Sequence, residues 1–351
     1  GYTLYTAGGN TGIAYRDLFA TLDARSEEII LARNYNSALG VIHAANFYTL
    51  GVSYGRPGLT KKAVNYYLMN DGTRFTDKAG YATMEFKDEC ADRDPRLAQT
   101  IRTPGYTRIG QATKLAPDRA TSVTGYQPIK YVMGTAYDQF DKSENDLPIF
   151  RAAEVLLNYA EAKAELGTLT QADIDMSVKK LRDRVGMPNM DMAAANASPD
   201  PYLTSADTGY PNVAGANQGV ILEIRRERGV ELVMESFRYN DMMRWKEGKA
   251  FTKPLLGIYI PAPGAYDLDG NGTIDVEFYV TTSSSAAPLK LKIDQDIYFS
   301  EGTYGYVSPH KSLPGSWNED RDYLYPIPTD ERVLTKGALT QNPGWNDNLG
   351  F

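Results

Sequence analysis

Apolar residues recur at helical spacing through residues 221–246, and no proline interrupts them. Ile221, Ile224 and Leu232 fall on one stripe together with Arg228. The charged residues of this stretch are too dense to share one solvent-facing side of a helix. Some must therefore face inward, where a charge is stable only when it is paired and hydrogen-bonded. We predict a helix that buried ion pairs lock to its neighbours.

These inward-facing charges are expected to pair with one another or with acidic residues of a second helix. Arginine suits buried pairs, because its planar guanidinium binds a carboxylate through two hydrogen bonds. The alternative is a catalytic carboxylate site, since both arrangements perturb pKa values. Trp245 is expected in the core. The charges expected to be buried are Arg225, Arg228, Glu231 and Glu235, and the acids expected on the second helix are Glu154 and Glu161.

A second apolar stripe with helical spacing runs through residues 146–167, where alanines permit close contact between helices. Thr170 and Asp173 form a variant capping box that opens a further helix. Antiparallel helices of this kind are typical of tetratricopeptide-like folds, although the spacing is not a clean 34-residue repeat. The fold class is therefore predicted to be mainly α, with a tetratricopeptide-like helical scaffold, irregular loops and small β elements.

Outside these helices, short β-branched or aromatic runs predict strands, and clusters of Gly, Asn, Asp and Pro predict loops. After Gly248 the chain becomes rich in strand and turn signals. The predicted strands are residues 28–35, 97–102 and 127–132, and the predicted loops are residues 36–60 and 193–217.

The composition, with 42% hydrophobic and 23% charged residues, is that of an ordinary globular protein. No apolar run approaches the roughly 18 residues that a membrane-spanning helix needs. The net charge is −7 without a cluster of lysine and arginine, which argues against nucleic acid as a partner. Cys90 is the single cysteine, so no intrachain disulfide can form.

The charges of residues 221–246 follow the pattern E-x-R-x-E-R-x-x-E-L-x-x-E-x-x-R-x-x-D-x-x-R-W. This pattern resembles the signature helix of the SusD/RagB family, whose members are outer-membrane nutrient-binding lipoproteins. The residues that carry it are Glu223, Arg225, Glu227, Arg228, Glu231, Leu232, Glu235, Arg238, Asp241, Arg244 and Trp245.

Other segments resemble further motifs of the same family, and they follow one another in the family's order. The resemblance extends from about residue 28 to the C-terminus. The matching segments are R-D-P-R-[LF] at residues 93–97, R-x-A-E-V-L-L-x-Y-A-E-A at residues 151–162, Y-x-x-P-I-P at residues 323–328 and L-x-Q-N-P-G-[YW] at residues 339–345.

The resemblance implies a single SusD-like domain over residues 1–351. Because the chain opens with GYTLYTAGGN, we expect a processed or truncated piece that lacks the family's N-terminal half. That half would carry the lipid-anchor cysteine, the first helix pairs and part of the ligand site. Within the chain, the expected parts are a loop- and strand-rich ligand-facing part (1–145), a helical scaffold (146–250) and a loop- and β-rich C-terminal part (251–351).

The resemblance also implies a function, namely capture of a glycan at the cell surface and its delivery to a SusC-like TonB-dependent transporter. The protein would be a surface-exposed lipoprotein of the outer membrane, held there only through an N-terminal lipid anchor absent from this chain. No bond would be made or broken. Peptide capture by a RagB-like protein is the first alternative.

A hydrolase is the second alternative, because residues 51–55 fit G-x-S-x-G with Ser53 as the nucleophile and His310 downstream. That elbow needs a strand before the serine and a helix directly after it. The Arg56-Pro57-Gly58 sequence opposes an immediate helix. No spacing of acidic residues points to a glycosidase pair. We therefore expect no enzymatic activity.

One loop has the spacing of a calcium site, and no motif of the chain requires another cofactor. Its glycine at the sixth position suits the sharp turn of such a loop, but the twelfth position is Phe278 rather than a glutamate. The alternative is a turn of Asp, Asn and Gly residues that binds no ion. The candidate ligands are Asp267, Asp269, Asn271, Thr273 through its backbone, and Asp275.

The predicted loop at residues 36–60 is the best candidate for the ligand site. Phe47, Tyr48 and Tyr54 cluster there, with Arg56 as a hydrogen-bond donor. Ligand sites combine apolar surfaces with a few polar groups that fix orientation, and loops on a rigid scaffold commonly carry them. The alternative is that these rings pack beneath the loop.

Overall fold

Helices are the main regular secondary structure in residues 1–312 and 315–348, which are the residues that the computed structural model describes. The prediction of a mainly α chain with small β elements is confirmed. No helix among these residues is long and apolar enough to cross a bilayer. The helices are α1 (Ala14–Phe19), α2 (Ala45–Leu50), α3 (Lys61–Asn65), α4 (Phe86–Glu89), α5 (Pro95–Thr100), α6 (Ala152–Glu165), α7 (Gln171–Met176), α8 (Val178–Asp183), α9 (Met192–Ala197), α10 (Pro201–Thr204), α11 (Gln218–Glu231), α12 (Phe237–Arg244) and α13 (Thr329–Leu334).

The strands form small sheets. β1 pairs antiparallel with β2, and β3 pairs antiparallel with β7. In the third sheet β5 lies between β4, which is antiparallel to it, and β6, which is parallel. The strands are β1 (Ile29–Arg33), β2 (Leu147–Arg151), β3 (Tyr259–Ile260), β4 (Gly264–Tyr266), β5 (Val276–Tyr279), β6 (Leu289–Lys292) and β7 (Gly305–Tyr306).

The core includes the contact between α6 and α11. Ala153 and Ala160 of α6 are fully buried, as are Leu222 and Ile224 of α11. The small alanine side chains let the two helices approach closely, as the sequence predicted. Trp245 belongs to the same buried cluster, which confirms its expected place in the core.

The capping box at Thr170 is confirmed. Its side chain accepts a hydrogen bond from the Asp173 N–H (3.3 Å), and the Asp173 carboxylate accepts one from the Thr170 N–H (2.8 Å). The helix that follows is interrupted at Ser177, whose φ of −122° and ψ of −89° are not helical. The segment therefore forms α7 and α8 rather than one helix.

The predicted single helix over residues 221–246 was wrong in its middle. α11 ends at Glu231 and α12 begins at Phe237. Between them Met234 and Ser236 adopt left-handed conformations, with φ of 62° and 66°. A right-handed helix cannot continue through such residues, so the chain changes direction there.

Only one of the three predicted strands is confirmed, by β1 within residues 28–35. Residues 97–102 lie largely in α5, because Asp94 caps that helix and Pro95 occupies its first turn. Residues 127–132 contribute only an isolated bridge among the described residues, through Pro128. Local capping chemistry outweighed the apolar alternation in the first of these errors.

The two predicted loops also contain short helices. α2 lies in residues 36–60, α9 overlaps the start of residues 193–217, and α10 lies within them. The side chains of Asp191 and Asp200 accept hydrogen bonds from the first turns of α9 and α10. These aspartate caps support helices too short for sequence periodicity to indicate.

Candidate functional site

The predicted ligand residues lie partly in an exposed cluster of aromatic rings, which we call the ring cluster: Phe47, Tyr54 and Phe140. The Phe47 centroid is 5.0 Å from that of Tyr54 and 5.6 Å from that of Phe140. Tyr54 is 44% exposed and Phe140 is 52% exposed. Because the rings of Tyr54 and Phe140 stand edge-on to Phe47, at 75° and 83°, they form a corner rather than a flat wall.

A buried asparagine holds the ring cluster together. Asn46, fully buried on α2, accepts a hydrogen bond from the Met133 N–H (2.9 Å) and donates one to Asp138 (3.0 Å). Asp138 is fixed in turn by an ion pair with Arg108. These bonds tie α2, which carries Phe47, to the segment that carries Phe140.

Tyr48 is 50% exposed but lies over the turn after α2 rather than in the ring cluster. A Cβ atom at Gly55 would overlap the phenol ring of Tyr48, so a larger residue at this position would displace that ring. The Tyr48 ring therefore shields the turn that carries Tyr54, which lies one residue before this glycine. Its exposed face remains accessible to a ligand.

Arg56 is bonded to another segment of the chain. Its guanidinium donates to the backbone carbonyl of Arg119 (3.3 Å), and its Nε is buried without a hydrogen-bond partner. Burial and the nearby Arg56 lower the pKa of Arg119 to about 9. Two guanidinium groups thus lie close together behind the turn, so the predicted role of Arg56 in ligand binding stays a prediction.

The geometry around Ser53 does not form a nucleophile elbow. Helix α2 precedes it rather than a strand, and Gly51 caps the end of that helix. Residues 52–55 form a turn, and no helix follows until α3. An elbow requires a strand directly before and a helix directly after the serine.

The predicted calcium loop brings three carboxylates together. One oxygen each of Asp267, Asp269 and Asp275 lies within 4.8 Å of the other two. Burial raises the pKa of Asp275, and the negative charges of Asp269 and Asp267 raise it further. Ca²⁺ prefers carboxylate and carbonyl oxygens as ligands, and its positive charge would relieve the mutual repulsion of these carboxylates.

Backbone hydrogen bonds already stabilise this loop. Asp267 accepts from the N–H groups of Gly270 (2.7 Å) and Gly272 (2.7 Å). Although burial acts to raise it, these bonds hold the pKa of Asp267 below its usual value. The Asn271 side chain caps the Thr273 N–H (2.7 Å), so it would have to use its second lone pair or turn to bind an ion.

The glutamate nearest to the twelfth position of the calcium motif, Glu277, is hydrogen-bonded to another loop. Glu277 accepts hydrogen bonds from Ser283 (2.6 Å) and from the Ser284 N–H (2.9 Å). These bonds lower the pKa of Glu277 to about 2. Phe278 itself is buried in β5. The loop therefore brings three aspartates together but lacks the bidentate glutamate of the full motif.

The charged residues of α11 form the predicted buried network, but most of their partners differ from the prediction. Glu231, fully buried, accepts hydrogen bonds from Arg151 (2.8 Å), Arg96 (3.1 Å) and Arg184. Glu235 binds Arg151 (2.7 Å) through a side chain that is 4% exposed. Glu231 and Glu235 are therefore neutralised by basic residues of other elements, whereas Glu223 pairs with Arg226 of the same helix.

Arg228 and Arg225 are buried as expected. Arg228 pairs with Asp241 (2.7 Å), and Arg225 pairs with Glu165 (3.3 Å) and Glu247 (3.6 Å). The expected pairing of these arginines with the glutamates at 154 and 161 was wrong.

Glu161 instead accepts from the indole N–H of Trp245 (2.6 Å) and from Arg244. Glu154 lies at the helix surface, near Asn158. Sequence reasoning missed Arg96 and Arg151 as partners, although both lie in the matched motifs. Each acid of the α11 network is held by a base, so the arrangement is structural.

A comparison with known proteins identifies the architecture. The model of the SusD family matches residues 27–345 of the chain. A solved SusD-like protein from Bacteroides fragilis NCTC 9343 is similar with a TM-score of 0.60 and 22% identity, over 98% of this chain and 59% of that one. A SusD-like carbohydrate binding protein from the same strain is similar with a TM-score of 0.58 and 22% identity, over 94% and 61% of the two chains.

The chain thus spans less than two thirds of the length of these structures. At this level of identity, the likeness to them shows the fold alone. No curated protein matches the chain.

Proposed function

The chain belongs to the SusD family, and from this premise we propose that it is a non-catalytic, glycan-binding protein of the cell surface. The ring cluster is the observation that carries the proposal. Sugars present apolar C–H faces, and exposed aromatic rings beside a few polar groups are the usual way to bind them. One solved structure with the same fold is described as carbohydrate binding.

The ring cluster is an open surface, and an open surface suits an oligosaccharide better than a deep pocket would. Its corner offers two exposed rings, Tyr54 and Phe140, which contact each other with centroids 5.9 Å apart as well as contacting Phe47. The phenol hydroxyl of Tyr54 adds a hydrogen-bonding group at the edge. Because the hydrogen bonds that Asn46 accepts from Met133 and donates to Asp138 fix α2 against the Phe140 segment, little conformational entropy needs to be lost when a ligand binds.

We further propose that the bound glycan is passed to a SusC-like TonB-dependent transporter in the outer membrane, where a lipid anchor would hold the protein. Family membership supports this partner and this location. Peptide capture is the competing function, because exposed aromatic rings also bind apolar side chains.

We also propose that the 267–275 loop binds Ca²⁺ and that the ion stiffens the loop. Asp267, Asp269 and Asp275 would supply carboxylate oxygens, with the backbone carbonyl of Thr273 and the side chain of Asn271. Burial and the negative charges of Asp269 and Asp267 raise the pKa of Asp275. A bound cation would neutralise this repulsion between carboxylates, which favours its binding. The role is structural.

A binding screen separates the two ligand classes. The protein is presented to an array of bacterial, plant and host glycans and, in parallel, to a library of peptides of matched length. We expect specific glycan hits and no peptide hits above background. Peptide hits without glycan hits would contradict glycan binding and support the RagB-like alternative.

A further inference from the structure

A cavity of about 620 Å³ opens where α11 ends and α12 begins. Its wall includes Met234 from the left-handed turn, Lys62 from α3, Arg238 and Tyr239 from α12, and Phe251. This volume lies within the range of about 300–1,000 Å³ that is usual for small-molecule sites. We call it the basic cavity.

Two cations of the basic cavity, Lys62 and Arg238, form no ion pair with any residue that the structure describes. Arg238 donates instead to the phenol oxygens of Tyr210 (2.7 Å) and Tyr66 (3.1 Å), neither of which is a carboxylate. Arg228 on the same wall differs, because Asp241 compensates its charge at 2.7 Å. The wall of the cavity therefore contains no carboxylate paired with Lys62 or Arg238 among the described residues, and the acids that act on Lys62, Glu247 and Asp207, lie outside that wall.

The environment of Lys62 makes this charge costly in the free protein. Burial lowers the pKa of Lys62 to about 8, and the positive charges of Arg238 and Lys253 act in the same direction against Tyr210 and Glu247. A buried cation is stabilised when an opposite charge lies within about 4–6 Å. An anionic ligand group would supply that charge.

Aromatic side chains continue the wall of the basic cavity outward. The centroids of Tyr239 and Phe251 are 5.7 Å apart with planes tilted by 35°, and those of Tyr239 and Tyr325 are 6.3 Å apart at 33°. Tyr325 is 72% exposed. These three rings form a broad surface, unlike the corner of the ring cluster.

We propose that the basic cavity binds an acidic sugar, a ring that carries a carboxylate or a sulfate. The acidic sugar ring would lie on Tyr239 and Phe251, and the next sugar unit of the oligosaccharide would lie on Tyr325. The anionic group would lie between Lys62 and Arg238. The sugar class rests on the proposed function. The preference for an anion rests on Lys62 and Arg238 alone.

This attraction acts only at short range. The whole chain carries a net charge of −7, which repels an anionic polymer at a distance. Added salt screens the attraction between the anionic group and Lys62 and Arg238, so the affinity should decrease as the salt concentration rises. It should also weaken as the pH rises through about 8, where Lys62 loses its proton.

The test is calorimetric titration with three probes of equal length: an oligogalacturonate, the same oligosaccharide with its carboxyl groups reduced to alcohols, and a sulfated oligosaccharide. Lys62→Gln removes the cation. Lys253→Gln is the matched control, because that lysine lies close by but is already paired with Asp207 (2.6 Å).

We expect Lys62→Gln to weaken binding of the acidic probes at least tenfold and to leave the reduced probe unchanged. Lys253→Gln should change neither. The carboxylate and sulfate probes show which anionic group is preferred. Tyr325→Ala, at an exposed position that should leave folding intact, should weaken the acidic probes severalfold.

Two failures are distinguishable. If the protein binds no glycan at all, the proposed function fails as well. If it binds neutral and acidic probes equally, and Lys62→Gln and Tyr325→Ala bind like the unmodified protein, the acidic-sugar site is overturned while glycan binding at the ring cluster stands.

Discussion

Neutralising Glu231 should destabilise the protein far more than removing any surface charge. Five acids and five bases form one connected network in the described structure, so its formal charges balance. Glu231 lies at its centre, since it binds three arginines. The acids are Glu28, Asp94, Glu227, Glu231 and Glu235, and the bases are Arg96, Lys130, Arg151, Arg182 and Arg184.

Glu231→Gln keeps the shape of the side chain and leaves the network with one excess positive charge. The amide nitrogen would also face an arginine donor, because both Glu231 oxygens accept from guanidinium groups. Breaking one side of a buried ion pair costs about 3–5 kcal/mol of unfolding free energy. We expect a loss in that range.

Urea unfolding followed by circular dichroism measures this loss. Asp183→Asn is the matched control, because Asp183 forms an ion pair with Lys179 in which the two side chains are 51% and 42% exposed. Removing such a pair should change the unfolding free energy by about 1 kcal/mol or less. Equal shifts of the urea midpoint in the two variants would refute the buried-network reasoning.

Three further outcomes follow from the structure. Burial acts to raise the pKa of Glu231, but Arg184, Arg151 and Arg96 hold it far below its ordinary value of 4.5. The stability that this lowered pKa contributes is complete above pH 4.5 and is lost as the pH falls toward the folded-state pKa. At pH values below about 4.5 the urea midpoint should therefore decrease, and it should decrease less in Glu231→Gln. Gly219→Ala should lower the unfolding free energy by about 1–3 kcal/mol, because its Cβ would overlap the Ala195 carbonyl oxygen. Gly229→Ala should be milder, because its nearest contact is a side chain, the Tyr66 ring at 3.1 Å. Equal melting temperatures of the two variants would contradict this. Calorimetry of metal-free protein with Ca²⁺ should show binding that Asp269→Asn abolishes, and an absence of heat from the unmodified chain would leave the 267–275 loop as a turn alone.

Local features were the most predictable from sequence. The Thr170 capping box lies within four residues, so its partners could be predicted from spacing. The strand prediction at residues 97–102 failed because the Asp94-Pro95 cap dictated a helix. Left-handed residues such as Met234 have no sequence signal strong enough to place a break inside a helical stripe.

Long-range partners could not be predicted in the same way. Arg96 and Arg151 lie 135 and 80 residues from Glu231, and spacing along the chain carries no information about such pairs. For the same reason the ring cluster was only half predicted. Phe47 and Tyr54 are neighbours in sequence, whereas Phe140 reaches them only through the fold that Asn46 secures.

Titration of the protein with an oligosaccharide identified on the glycan array tests the central claim most directly, when it is repeated on Tyr54→Ala and Phe140→Ala. Tyr298→Ala is the matched control, since Tyr298 is 40% exposed and has no ring contact with the ring cluster in the described structure. Each ring variant should weaken binding at least tenfold with an unchanged melting temperature, while the control binds normally. Full affinity in both ring variants would contradict glycan binding at this surface.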